Sequence, residues 1–284
     1  MPSSTLERRD LALEEGAEPV RVQLERFYGD EGAPHLLFVH GWGSGRAVWF
    51  DLVRQLSPRY HCHLLDLPGY GLNHHLGGAL TLEKTLQLLW SVAPQGGIWI
   101  GWSLGGTLLL AAALAAEGGG EPPRGVVTIA STPRFTVNDG WSHGIERALL
   151  EQFAQELIAD CRQTLLRFFA LQSLGSSAGK RELRQLKALV QQREEPHPAA
   201  LAAGLEWLQQ IDLRRKLARL TVPLLQLHGE RDRLVPRSAA ETTRQLLPGS
   251  KLEIITGAGH APFLSHPQQF LRQLEPWLES TTGT

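Results

Sequence analysis

Short apolar runs rich in β-forming residues alternate along this chain with longer stretches whose apolar residues recur at helical spacing. That alternation predicts a mainly parallel sheet covered by helices. The runs fall at Val20–Phe27, His35–Val39, His61–Leu65, 98–101, 125–130, 223–228 and Lys251–Ile255, the first expected to be antiparallel and at the sheet edge. Residues 48–56, Leu82–Val92, 104–116, 239–247 and 267–278 each carry apolar positions suited to one buried helix face. One interval breaks the rhythm: about ninety residues separate Ala130 from Pro223, far more than a single crossover helix needs. Within it, Leu165-Leu166-Arg167-Phe168-Phe169-Ala170-Leu171 has helical periodicity, which predicts a helical cap over the carboxyl edge of the sheet. The expected organisation is a core in two parts, residues 1–132 and 213–284, with the cap inserted at 133–212.

Composition narrows the class without choosing a function. The chain has 284 residues, 42% hydrophobic and 20% charged, a balance that excludes collagen-like, fibrous and disordered classes. Its 28 basic against 29 acidic residues give a net charge of −1, so no whole-molecule field favours nucleic acid or an anionic membrane. Residues 85–116 carry no charge, but Pro94-Gln95-Gly96-Gly97 interrupts them and 108–116 is too short to span a bilayer. Cys62 and Cys161 stand far apart with no Cys-x-x-Cys spacing, which argues against a disulfide framework. Charges in the first ten residues occupy the place where a secretory signal needs apolar residues, so a cytoplasmic protein is expected.

The candidate chemistry centres on Gly101-Trp102-Ser103-Leu104-Gly105. A Gly-x-Ser-x-Gly pattern is short enough to occur by chance, and its context decides its meaning. Here it follows the strand run Ile98-Trp99-Ile100 and precedes a helical stretch, the setting of a nucleophile elbow. A phosphate-cradling turn is the competing reading, but no Lys follows as in a P-loop and Gly-x-Gly-x-x-Gly is missing at this point.

A serine hydroxyl needs a base in hydrogen-bond reach and a third group to orient that base. His260, in Gly257-Ala258-Gly259-His260-Ala261-Pro262-Phe263 directly after the last strand, is the expected base. Asp232, after the strand at 223–228, is the expected acid and completes the order serine, acid, histidine. Glu230 and Asp139 are rivals for the acid. Of the other histidines, His61 and His63 share a strand face without a clear third ligand, so no metal is expected; His74 and His75 read as exposed loop residues, and His40 as structural. The oxyanion of an acyl transfer needs two donors, expected from the backbone N–H groups of Leu104 and of Trp42 in His40-Gly41-Trp42-Gly43.

With these motifs in hand, the chain resembles the pimeloyl-[acyl-carrier protein] methyl ester esterases of biotin synthesis, members of the α/β-hydrolase fold. The resemblance rests on His40-Gly41-Trp42-Gly43, Asp66-Leu67-Pro68-Gly69-Tyr70-Gly71, Gly101-Trp102-Ser103-Leu104-Gly105-Gly106, Arg167-Phe168-Phe169-Ala170-Leu171-Gln172 and Gly259-His260-Ala261-Pro262-Phe263. Trp102 and the cap segment are its more particular parts. Arg134, where a small residue is expected, and an N-terminal extension of roughly fifteen residues depart from it.

The resemblance implies a serine carboxylesterase without cofactor or metal, monomeric and cytoplasmic. It would release methanol from a pimeloyl methyl ester carried on an acidic acyl-carrier protein; a broad-specificity short-chain carboxylesterase without a carrier partner is the alternative. Trp42, Phe168, Leu171, Leu174 and Leu234 are expected to line the acyl channel. From Cys161 to Arg193 the sequence holds Arg162, Arg167, Lys180, Arg181, Arg184, Lys187 and Arg193 against Glu182 alone, a local charge of +6 that leaves −7 elsewhere. Arg181, Arg184 and Lys187 recur at a spacing that places them on one helix face, and Arg167, Lys180 and Arg184 are the expected carrier-docking residues.

Overall fold

The computed structural model describes residues 3–13, 16, 18–78, 80–115, 121–191 and 195–283. Ala116, the predicted end of the helix after Ser103, and Arg193 of the basic cluster lie outside the described residues. Unbroken apolar runs offer no polar face to water, so they fold as strands covered on both sides. The strands are β1 (Ser4–Leu11), β2 (Val20–Phe27), β3 (His35–Val39), β4 (His61–Leu65), β5 (Ile98–Trp102), β6 (Gly125–Ile129), β7 (Leu224–Gly229) and β8 (Lys251–Ile255). Every residue of β5, β6 and β7 is buried. The order in the sheet is β1-β2-β4-β3-β5-β6-β7-β8, parallel from β4 onward.

The edge position expected of β2 belongs instead to β1, because β2 pairs antiparallel with β1 on one side and β4 on the other. β1 is invisible to a search for apolar runs. Its sequence, Ser4-Thr5-Leu6-Glu7-Arg8-Arg9-Asp10-Leu11, is mostly exposed, and charges of this kind guard an edge against further pairing. It is anchored by Arg9, whose Nη1 donates to the carbonyls of Ser91 (3.0 Å) and Val92 (3.2 Å). These close α2 (Leu82–Val92), where orphan carbonyls and the helix dipole favour a cation.

The helix predicted at 48–56 begins as a 3-10 turn, Arg46–Trp49, and becomes α1 at Phe50–Leu56. α3 (Leu104–Leu114) is buried on all sides through Ala112, between the sheet and α2, and Trp90 Nε1 donates to the Ala112 carbonyl at 2.9 Å. Between β6 and β7 run α4 (Arg147–Ala159), α5 (Cys161–Gln172), α6 (Gly179–Gln191) and α7 (Pro198–Gln210). Side chains start two of them: Asp160 Oδ1 accepts from Gln163 N at 2.9 Å for α5, and His197 Nδ1 from Ala199 N at 3.2 Å for α7. After β7 come α8 (Arg237–Leu246), the short α9 (Pro262–Ser265) and α10 (Pro267–Thr282). Among the described residues no helix is long and apolar enough to cross a membrane.

β3 has β4 on one side and β5 on the other, so the chain reverses its direction of progress across the sheet at this point. Loops leaving the carboxyl ends of two such strands diverge and open a crevice. The β3 loop holds His40-Gly41-Trp42-Gly43 and the β5 turn holds Ser103.

The Asp66-Leu67-Pro68-Gly69-Tyr70-Gly71 motif fastens the rim of that crevice. Asp66 is fully buried; its Oδ1 accepts from Arg46 N (2.7 Å), and its Oδ2 from Arg46 Nη1 (2.7 Å) and Leu72 N (3.0 Å). Gly71 has φ +43°, and a Cβ there would stand 2.3 Å from Asp66 Oδ2. Arg46 also pairs with Glu25 at 2.7 Å. Removing one partner of a buried ion pair strands the other charge at a cost of about 3–5 kcal/mol, so Arg46→Met is expected to lower the thermal midpoint by roughly 10 °C in a calorimetric scan. A midpoint within about 2 °C of the parent protein would show that the network is dispensable.

Candidate active site

Ser103 takes up a backbone conformation that side-chain-bearing residues rarely adopt, φ 53° and ψ −120°. Such a turn persists only where its surroundings impose it. They do so here through three glycines in close contacts: a Cβ on Gly101 would lie 2.5 Å from Gly106 Cα, and one on Gly105 would lie 2.4 Å from the carbonyl oxygens of Val39 and His40. One on Gly106 would lie 2.2 Å from Ser131 Oγ. Ser103 N donates to Ile129 O at 2.8 Å, and Ser131 Oγ donates to Ser103 O at 2.9 Å. Ser131 follows Ala130, the other non-glycine residue with positive φ (48°) among those described.

The turn presents Ser103 Oγ to His260 Nε2 at 2.9 Å, and His260 Nδ1 lies 2.8 Å from Asp232 Oδ2. All three residues are buried. Burial pushes the Asp232 carboxyl up, but the field and hydrogen bond of His260, with lesser help from His228 and the Val235 amide, outweigh it and hold the group below its ordinary value. An ionised Asp232 only accepts, so His260 carries its proton on Nδ1 and leaves Nε2 free to take one from Ser103. The second carboxylate oxygen, Oδ1, accepts from Leu234 N (2.9 Å) and Val235 N (3.1 Å), which fixes the rotamer. His228 stands behind, 3.7 Å from Asp232 Oδ2; burial lowers its pKa, and its Nε2–H is spent on the Val235 carbonyl at 2.6 Å. On the imidazole side, Trp102 Nε1 donates to the His260 carbonyl at 2.8 Å.

The β3 loop lies against the serine, since a Cβ on Gly41 would come within 3.2 Å of Ser103 Cβ. Leu104 is the first residue of α3, where backbone N–H groups have no partner within the helix, and the Trp42 amide belongs to the adjoining loop. Both amides thus belong to segments that adjoin Ser103. The Trp42 side chain is buried: Nε1 donates to Leu201 O at 2.8 Å, and the ring packs on Phe168 with centroids 4.7 Å apart. Phe168 is also fully buried, Leu171 half-buried, and Leu234 buried beside Asp232. Leu174 departs from the expected channel lining, for its side chain is 54% exposed and stands outside the packed cluster around Trp42 and Phe168.

The rival acids are placed elsewhere. Asp139 is exposed, and Glu230, also exposed, accepts from Gly257 N at 2.8 Å. His40 donates from Nδ1 to Gly41 O and accepts at Nε2 from Leu67 N, a structural role. His75 is exposed, while His74 is half-buried against the His197 ring. His61 and His63 gain a third ring from β3, because His35 Nδ1 lies 2.8 Å from His63 Nε2 and Arg26 Nε donates to His63 Nδ1. Burial and then the Arg26 charge press His63 down to about 3. Among the described residues no group of three or more His, Cys, Asp or Glu is arranged to hold a metal ion. Both cysteines are free.

Of the basic residues on α6, Lys180, Arg181 and Arg184 are exposed and Lys187 is half-buried. Arg181 reaches back to the Ser265 carbonyl, and Arg167 is ion-paired with Glu156 over the Phe153 ring. Arg134 donates to Thr136 O at 3.2 Å beside Asp212. Sequence reading missed Ser131, whose partner Ser103 follows another strand, and His228, whose contacts with Asp232 and Val235 arise only once the loop after β7 folds back on it.

Residues 36–273 match the model of the Alpha/beta hydrolase family. Over 244 residues the chain is 41% identical to the pimeloyl-[acyl-carrier protein] methyl ester esterase of Photobacterium profundum, covering 86% of this chain and 94% of that one. The protein of the same name from Xylella fastidiosa is 41% identical over 247 residues, covering 86% and 95%. An esterase from Exiguobacterium antarcticum shares the fold, with a TM-score of 0.78 at 19% identity over 91% of this chain and 96% of that one.

Proposed function

We propose that this chain, which belongs to the Alpha/beta hydrolase family and within it to the pimeloyl-[acyl-carrier protein] methyl ester esterases, cleaves the methyl ester of a pimeloyl chain held on acyl-carrier protein, with Ser103 as nucleophile. The observation that carries this reading is the pair of contacts on His260, 2.9 Å to Ser103 Oγ and 2.8 Å to Asp232 Oδ2. Ser103 Oγ attacks the ester carbonyl carbon while His260 Nε2 takes its proton, and Asp232 stabilises the imidazolium. The tetrahedral oxyanion is met by the Leu104 and Trp42 amides. Collapse expels methoxide, which takes the proton from His260 and leaves as methanol. Water then adds to the acyl-enzyme with His260 again as base, and the free acid departs on its carrier.

Trp42, Phe168, Leu171 and Leu234 supply apolar contact for the acyl chain. Lys180 and Arg184, exposed on α6, and Arg167 on α5 meet the acidic carrier. The enzyme acts as a cytoplasmic monomer in biotin synthesis.

Two experiments test this. The gene is expected to restore biotin-free growth to a strain lacking its own esterase, and a Ser103→Ala copy is expected not to. The triple variant Arg167→Glu, Lys180→Glu, Arg184→Glu is expected to lower kcat/KM for the carrier-borne ester at least about tenfold and to change that for a free methyl ester by less than about twofold. Equal losses on both substrates would remove the docking role and favour a carboxylesterase of free short-chain esters.

A further inference from the structure

The single acid of α6 is the residue that this helix places inside. Glu182 is fully buried on the same face as Leu186, whereas Lys180 and Arg184 are exposed. A buried carboxyl is costly unless it is hydrogen-bonded or neutral, yet neither oxygen of Glu182 closes to hydrogen-bond geometry with any group. The polar groups within its electrostatic reach are the Ser176 hydroxyl, the Ala261 amide, the Ser265 hydroxyl and the Asp232 carboxylate. Since α6 packs on α9 and the adjacent Arg181 bonds the Ser265 carbonyl, the buried Glu182 faces the turn that directly follows His260.

The same turn is gripped from the α5–α6 side at several further points. His260 N donates to Gln172 O at 3.4 Å, and Ser177 N donates to Gly257 O at 2.9 Å. Ser177 Oγ lies 3.1 Å from His266 Nε2, and the Arg181 guanidinium donates to the Ser265 carbonyl. A Cβ on Gly259 would come within 3.1 Å of Ser176 Cβ, so the two segments are in close contact. Residues 257–266, which carry the imidazole, thus lie in a cradle formed by the end of α5 and the inner face of α6.

We propose that Glu182 is a positioning residue for His260: its carboxyl, on the inner face of α6, braces the turn at 261–265 and through it sets the imidazole against Ser103. The proposal rests on the reading of Ser103, His260 and Asp232 as the catalytic triad. Burial pushes the Glu182 carboxyl up to about 7, and the negative Asp232 adds to the rise. Protonated, it is neutral and has an O–H to donate; ionised, it adds a second negative charge near Asp232. The charged and titratable groups around it are Asp232 with His228 behind it, His260 and His266 on the cradled segment, and Arg181 on α6. From the 3-10 turn that packs on α6, Arg46 is held by Glu25 and Asp66, and α5 contributes the neutral Gln172.

The test is kcat and KM for a p-nitrophenyl ester between about pH 5.5 and 9 on the parent protein, Glu182→Gln and Glu182→Leu. In the parent protein kcat/KM is expected to decline on the alkaline side of about pH 7 as the brace ionises. Glu182→Gln matches the parent at about pH 6 and loses that decline, ending about fivefold more active at pH 8.5. Glu182→Leu, which fills the space without a polar group, lowers kcat at least about fivefold with KM within about twofold. Linkage gives a parallel readout: stability from a carboxyl raised by folding is full below its ordinary value of 4.5 and falls as pH rises through about 7. The thermal midpoint of the parent is therefore expected to drop relative to Glu182→Gln between about pH 5 and 8.

If both variants reproduce the parent's kcat and the shape of its pH profile, Glu182 is packing only and the proposal is overturned. Should Glu182→Leu not fold, the profile of Glu182→Gln decides alone. Failure of the underlying triad reading is separate, since it shows as activity surviving in Ser103→Ala, a variant in which Glu182 is untouched.

Discussion

Ser103→Ala abolishes labelling of the folded protein by a fluorophosphonate probe and lowers kcat for methyl ester hydrolysis by roughly a million-fold. The size follows from the geometry: His260 Nε2 has its hydrogen bond to Ser103 Oγ, and alanine leaves the base with nothing to deprotonate. What survives is the smaller acceleration from the Leu104 and Trp42 amides and from binding. Stability moves in the opposite sense in a companion variant. Ser103 is held at φ 53°, a conformation that costs a non-glycine residue about 1–3 kcal/mol, so Ser103→Gly is expected to be equally inactive and to melt at a higher temperature. Labelling of Ser103→Ala at the parent rate would place the nucleophile elsewhere.

Asp232→Asn lowers kcat about 10⁴-fold with little change in KM or in thermal midpoint. The direction is dictated by how the two carboxylate oxygens are used. Oδ1 accepts two backbone N–H bonds, from Leu234 and Val235, so the asparagine carbonyl oxygen takes that place and its NH₂ turns toward His260. Nδ1 must then accept, which moves the imidazole proton to Nε2, where it faces Ser103 and removes the base. The side chain keeps its shape and its turn, which is why stability changes little. A kcat within about tenfold of the parent would assign the orienting role to another group.

That Ser103, Asp232 and His260 would meet was legible because the proposed chemistry demands scarce residue types at places that local pattern already marks. Gly101 and Gly105 flank Ser103 between an apolar strand and an apolar helix, and Asp232 and His260 each follow a strand run directly. The strands β4 and β8 and the helix α2 fall where hydrophobic periodicity puts them, since a buried strand or a one-faced helix imprints its period on the sequence. β1 leaves no such imprint. An edge strand exposed to water is free to be polar, and its partner β2 begins nine residues after it ends. Leu174 carries the opposite lesson, because an apolar residue in a helical rhythm says nothing of whether it faces a pocket or solvent.

The α/β architecture, the long interval between β6 and β7, the strand–turn–helix around Ser103 and the chain order of Ser103, Asp232 and His260 were thus readable from the sequence. These are properties of local spacing, written in glycines, apolar period and strand ends. Tertiary structure alone decided which groups meet. It brought Ser131 under the Ser103 carbonyl, set His228 behind Asp232, gathered His35 to His61 and His63, tied Arg167 to Glu156, and turned Glu182 inward while Lys180 and Arg184 on α6 face out. Whether the partners are distant in the chain, as Ser131 and Ser103 are, or near, as His228 and Asp232 are, the meeting is fixed by the register of the sheet and the packing of helices over it. A single sequence encodes those only through the whole fold.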